Sequence, residues 1–273
     1  MLNLWNFRGT RMSAGRPQVS FFWLSLGVIT ALYLFFLVAM LAATAAYSTP
    51  GHWVRALGSR EIRYSIGLSL ATCTATALLS LLLAVPVGYL LARGRFPGKA
   101  ILDAALDIPI VLPPMVVGLC LLILFQTPFG NAIERVVPFT YTVAGVVLAQ
   151  FVIGAAFAVR TMRGTFDHLS SRPEDVAMTL GCSRGRAVWL VTLPAARRGM
   201  FAAASVAWAR SLGEFGPILV FAGATRMKTE VLPTTVWLEL SVGNLEAAVA
   251  VSLLMVALAM VVLVAVRLAG ERV

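Results

Sequence analysis

The chain has 273 residues, of which 59% are hydrophobic and only 12% charged, with a formal net charge of +10. A water-soluble domain carries about 25% charged residues, so this composition belongs in lipid. It leaves no room for a separate soluble catalytic domain. Its basic excess sits at the ends of apolar runs, which argues against nucleic acid as a partner.

Apolar runs of about twenty residues cross a bilayer as helices. In chain order they are Phe21–Tyr47, Ile66–Ala92, Ala104–Phe125, Thr142–Val159, Met200–Phe221 and Ala247–Val266. The expected fold is therefore all-α, a polytopic membrane protein with six transmembrane helices. It is read as one transmembrane domain over 1–273, with a core at about 60–266. The first run has a far longer apolar core than the roughly 7–15 residues of a signal peptide, so it is read as a retained span. Arg210 and Glu214 interrupt the fifth run, and Pro109, Pro113 and Pro114 the third.

Lys and Arg bias sets orientation. Arg55, Arg60, Arg63, Arg135, Arg226 and Lys228 fall on one side and Arg210 within a span. The rest of the 22 Lys and Arg share the side of the N-terminus, among them Arg8, Arg11 and Arg16. Both termini are thus expected in the cytoplasm. The outer loops span roughly 48–65, 126–141 and 222–246, with a short interfacial helix expected at Thr234–Val242. Cys73, Cys120 and Cys182 lie far apart and without clustered Cys/His spacing, so no disulfide or metal site is expected. Small buried apolar fillers is the reading for the cysteines.

The large cytoplasmic insert, 160–199, is the one long polar stretch between spans. Ser171-Arg172-Pro173-Glu174 has the form of a capping box, Ser followed three residues later by Glu. Pro173 is harmless in a first turn, and Glu174 and Asp175 lie near the positive end of the helix dipole. Val176, Ala177 and Leu180 supply an apolar stripe, and Gly181 a left-handed stop. A helix over Arg172–Leu180 follows. A second is expected from Ser183, stopping before Pro194. A small apolar surface rimmed by charges suits insertion into a partner's groove.

Asp175-Val176-Ala177, then Gly181, then Val191-Thr192-Leu193-Pro194 resemble the "EAA" loop of permease subunits in ATP-binding-cassette importers. That motif reads E-A-A, three residues, Gly, nine residues, I-x-L-P; this chain departs at Asp175, Val176 and Val191. The resemblance implies that 160–199 is a cytoplasmic coupling-helix loop between helices 4 and 5. Glu174, Asp175, Ala177, Gly181, Leu193 and Pro194 would then form the ATPase-coupling element. It also implies two copies of a separate ATPase subunit carrying ATP and Mg, a second permease copy, most simply a homodimer, and an extracytoplasmic binding protein. The chain itself would carry no cofactor and no catalytic residue, and would lie in the bacterial inner membrane.

Ala209-Arg210-Ser211-Leu212-Gly213-Glu214-Phe215-Gly216, Thr229-Glu230-Val231-Leu232-Pro233 and Asp107-Ile108-Pro109-Ile110-Val111-Leu112-Pro113-Pro114 resemble segments of molybdate, tungstate and sulfate permeases. The double Pro leans towards molybdate or tungstate; sulfate or thiosulfate is the alternative. From the residues themselves, Arg210 and Glu214 are four apart in a span, where charges face a cavity or each other. One reading is a structural ion pair. The other is a translocation path in which Arg210 attracts an oxyanion and Glu214 limits its residence. Gly213, Gly216 and Pro217 weaken the helix there, so Arg210, Ser211, Gly213, Glu214, Gly216, Pro113 and Pro114 are the candidate path residues.

Rival classes find less support. His52 and His168 form no catalytic or metal-binding pair. Asp103 and Asp107 share a helix face, read as helix-end solvation before metal binding. Residues 93–99 have the wrong glycine spacing for a phosphate loop. A stand-alone secondary transporter would show internal repeats, and none is seen.

Overall fold

The computed structural model of this chain describes residues 21–272. Arg8, Arg11 and Arg16, part of the orientation argument, lie outside the described residues. Every regular element among the described residues is helical. The chain divides into two units, Met1–Tyr47 and Ser48–Val273. In the first, α1 (Phe21–Tyr47) coincides with the first expected span. It has no acidic first turn and no apolar stripe, being apolar all round, as a lipid-bathed helix is.

The second unit is built on two long helices, α3 (Arg60–Arg93) and α7 (Val143–His168). Ser59 caps α3 by accepting the Ile62 amide, and Thr142 caps α7 by accepting the Gly145 amide. At 34 residues α3 is about 51 Å long, well beyond the ~30 Å hydrocarbon core. α11 (Arg197–Leu212) packs against both. Their shared core is rich in small residues, including Ala77, Ala84, Ala158, Ala203 and Ala207, with Leu91, Met162 and Phe166 filling the gaps. Small side chains let helix backbones approach where lipid offers no hydrophobic drive for association.

Among the described residues, four helices are long and apolar enough to cross a membrane: Phe22–Tyr47, Arg60–Arg93, Val143–His168 and Leu245–Val266. The third expected span is broken: α4 (Lys99–Val111) and α5 (Pro114–Gln126) meet at an angle of 110°. Leu112 and Pro113 are extended there, and neither Pro113 nor Pro114 has an N–H to continue the ladder. The fifth expected span is likewise divided into α11 and α12 (Gly216–Phe221).

α4 packs against the C-terminal half of α7. This corrects the expected solvation of Asp103 and Asp107. Arg160 Nη1 lies 2.7 Å from Asp107 Oδ2, and Arg163 pairs with Asp103. One correction concerns the cysteines: Cys73 is buried and Cys182 half-buried, but Cys120 is exposed on α5. A short helix does form where one was expected at Thr234–Val242: α13 (Leu232–Ser241), followed by α14 (Leu245–Arg272). The loops reveal two helices that hydropathy alone did not, α2 (Pro50–Gly58) and α6 (Pro128–Val136).

Candidate functional site

The loop between α7 and α11 contains α8 (Arg172–Thr179). Its end follows the local chemistry. Gly181 has φ +94°, the Gly181 amide bonds the Met178 carbonyl at 3.0 Å, and the Cys182 amide bonds Ala177 at 3.0 Å. This paired bonding is the Schellman stop, which needs the left-handed conformation that glycine adopts without strain. Its start does not follow expectation. Ser171 makes no side-chain cap, and Glu174 does not return to the Ser171 amide. Glu174 is instead 6% exposed and is claimed by distant hydroxyls. Tyr89 Oη donates to Oε1 at 2.6 Å and Thr192 Oγ1 donates to Oε2 at 2.9 Å.

α8 therefore has two faces. Glu174 is turned inward, with Ala177 and Met178 half-buried, while Asp175 lies exposed with Val176 and Leu180. Val176 is 56% and Leu180 81% exposed, an apolar pair one turn apart beside an acid. The second expected helix does not stop before Pro194. Residues Arg184–Ala187 (α9) pass into a π-helical turn, Val188–Thr192, and then Leu193–Ala195 (α10), which leads into α11. The wider turn absorbs the missing proline N–H, and such turns collect at functional positions.

The second cluster forms where the two broken helices meet. A Cβ on Gly216 would lie 2.9 Å from the Met115 amide nitrogen, and one on Gly118 would lie 2.8 Å from Pro217 Cα. Hence the Pro113–Pro114 break and the Gly213–Gly216 break touch backbone to backbone, at a distance only glycine permits. Beside them Arg210 Nη2 lies 2.7 Å from Glu214 Oε1. Glu214 is 1% exposed, whereas a third of the Arg210 side chain is accessible and its guanidinium lies 5.6 Å from the Phe157 ring centroid. The two groups pair by charge, yet Glu214 Oε1 accepts no hydrogen bond among the described residues, and the accessible part of the pair is the Arg210 side chain.

Ser211 is buried and its hydroxyl bonds back to Ala207, so it presents no free donor. The sequence reading missed Gln150. This buried amide accepts from Thr76, at 3.2 Å, and donates to the Ser211 carbonyl at 3.3 Å, tying α3, α7 and the end of α11 together. It also missed a buried hydroxyl stripe on α3, Ser65, Ser69, Thr72, Thr76 and Ser80, whose three- and four-residue spacing was a readable signal. Ser69 accepts the Leu232 amide at 2.8 Å and so anchors the 229–233 loop.

In that loop Glu230 is fully buried, with neither carboxylate oxygen hydrogen-bonded among the described residues. Burial pushes its pKa above the ordinary 4.5, only partly countered by the Arg226 guanidinium. Arg226 is engaged by Glu239 at 2.8 Å.

Residues 84–273 match the family described as "Binding-protein-dependent transport system inner membrane component". The molybdate/tungstate transport system permease protein WtpB of Thermococcus kodakarensis is 37% identical over 202 residues, 70% of this chain and 78% of that protein. The molybdenum transport system permease protein ModB of Mycobacterium tuberculosis is 34% identical over 247 residues, covering 89% and 92%. The sulfate transport system permease protein CysW of a Synechocystis species is 28% identical over 256 residues, covering 90% and 92%. Among solved structures, a bacterial ABC transporter that imports the acidic polysaccharide alginate shares the fold. Its TM-score is 0.74 at 15% identity, over 93% of this chain and 97% of that one. With its multiple membrane-crossing helices and its loop between α7 and α11, the chain belongs to the family of inner membrane components of binding-protein-dependent transport systems.

Proposed function

We propose that this chain is the permease subunit of an ATP-driven importer for a tetrahedral oxyanion, molybdate or tungstate. The observation that carries the transport mechanism is the Gly181-terminated helix α8, with Val176 and Leu180 exposed beside Asp175 at the end of a rigid bundle. Such a surface fits the groove of a separate cytoplasmic ATPase. Two ATPase copies carry ATP and Mg, two permease copies surround the path, and an extracytoplasmic binding protein delivers the anion. Both termini then lie in the cytoplasm. Glu174, Asp175, Ala177, Gly181, Leu193 and Pro194 build the coupling element.

Closure of the ATPases displaces α8, and the close-packed helices pass that displacement on as a switch between two arrangements. The touching breaks at Pro113–Pro114 and Gly213–Gly216 are where the two spans are interrupted. Arg210 offers the passing anion a cation whose field Glu214 partly cancels, so binding is weak enough to release. The oxyanion assignment draws on the permeases of that substrate class to which the chain is similar. Sulfate is the second reading, favoured by the similarity to CysW.

The test is gentle purification of the tagged chain from its own cells. A stoichiometric ATPase subunit is expected, and its absence overturns the importer reading. ATP-dependent uptake of molybdate, tungstate and sulfate by the reconstituted complex then decides among the anions.

A further inference from the structure

We propose that Glu174 is a positioning residue, a clamp that locks the coupling helix to the membrane bundle so that both move as one body. The proposal rests on the coupling reading above and assigns Glu174 to internal transmission rather than to the ATPase contact.

α8 has eight residues, no side-chain cap and one proline in its first turn. Isolated helices below about 12 residues are marginal even with good composition. Something outside α8 must therefore hold it in place. Glu174 is the one acid of its first turn that is buried, and its two oxygens take hydroxyl donors from two different elements, Tyr89 of α3 and Thr192 of the π-helical turn. Bonds to a carboxylate are shorter and roughly twice as strong as neutral ones. Two of them, from opposite partners, fix the helix in direction as well as distance.

The anchor itself is rigid. The Tyr89 ring packs edge-on against Phe166 of α7, with centroids 5.6 Å apart. Its neighbour Gly88 lies at a tight contact between α3 and α7: a Cβ there would be 2.8 Å from Met162 Cβ. One turn on, Arg93 Nη2 donates to the Leu169 carbonyl at 2.5 Å and holds the start of the loop. A push on α8 thus reaches α3 and α7 through a polar joint at Glu174, with no flexible linker between. The π-helical turn has a role in this reading, since it carries Thr192 at the Glu174 carboxylate.

The test uses the full complex of permease, ATPase and binding protein in proteoliposomes, with molybdate uptake and ATP hydrolysis measured side by side. Glu174→Ala is expected to assemble and hydrolyse ATP while the molybdate carried per ATP falls by about tenfold, within the usual range of coupling effects. Tyr89→Phe, which keeps the ring and removes one donor, is expected to lower the ratio by about threefold. Glu174→Gln, still able to accept a hydroxyl, is expected to restore most of the ratio lost in Glu174→Ala. An unchanged ratio in assembled Glu174→Ala overturns the clamp while leaving the importer reading intact. If Glu174→Ala does not assemble, Tyr89→Phe decides, and an unchanged ratio or a failure to assemble there overturns the clamp in favour of a purely structural contact. A wild-type complex without ATP-dependent uptake overturns the importer reading and this proposal with it.

Discussion

The outer surface of α8 and the meeting of the two broken helices differ in what holds them. At the tip of α8, the Gly181 stop is made from neighbours in sequence, and a Cβ at Gly181 would touch nothing within 4 Å. At the breaks, Gly216 touches Met115 and Gly118 touches Pro217, residues about a hundred positions away in the chain. The first region is free to meet a partner, whereas the second is already occupied by its own chain. Substitutions at the tip should therefore disturb transport without disturbing the fold, and substitutions at the breaks should disturb both together.

The sharpest separation is expected at Gly181. Gly181→Trp combines a left-handed φ, costing roughly 1–2 kcal/mol for a side chain, with bulk on the exposed face. Uptake per ATP is expected to fall by roughly a hundredfold, at the upper end of coupling effects, with little change in thermal unfolding of the permease in detergent. Gly181→Asn, better tolerated at positive φ, is expected to retain most uptake. A large loss of thermal stability in Gly181→Trp would erase the contrast between the two regions.

At the breaks, Arg210→Leu leaves the 1%-exposed Glu214 carboxylate without its partner. Fully buried pairs cost about 3–5 kcal/mol to break in this way; with Arg210 a third exposed, about 2 kcal/mol is expected, seen as a lower unfolding temperature. Glu214→Gln separates the two roles of the pair. A lower uptake rate at normal complex yield marks a residue of the path, and a matched loss of complex marks a structural ion pair. Gly216→Ala, whose Cβ would stand 2.9 Å from Met115 N, is expected to cost about 1–2 kcal/mol by overpacking and to slow transport in proportion.

Legibility in the sequence follows the same division. α1 was readable to the residue from its apolar run, and the Gly181 stop from spacing alone, because both depend on nearby chemistry. The capping box misled because Glu174 found Tyr89, 85 positions away, and a tertiary hydroxyl won over the local amide. Asp103 and Asp107 misled for a related reason. They meet Arg160 and Arg163 because α4 packs against α7, and no pattern in the sequence encodes that packing. Gln150 was passed over as one polar residue in an apolar run, although a lone amide at that depth seeks partners.

The smallest effect is expected at Glu230, outside both regions. Its raised pKa means that the folded chain binds this proton more tightly than the unfolded chain. Its contribution to stability is full below 4.5 and declines as pH rises through the folded value. Glu230→Gln is expected to raise the unfolding temperature by a few degrees at neutral pH and to lose that advantage near pH 4. A constant difference across that range would show that ionisation of Glu230 does not drive it.

The half-buried Cys182, directly after the Gly181 turn, gives the molecule a built-in place for a spectroscopic reporter. Cys73 is sealed within the bundle, so replacing Cys120 alone leaves one reachable thiol at the end of α8. A fluorophore or spin label there would watch the loop engage and release in real time, with the apolar pair Val176 and Leu180 left untouched.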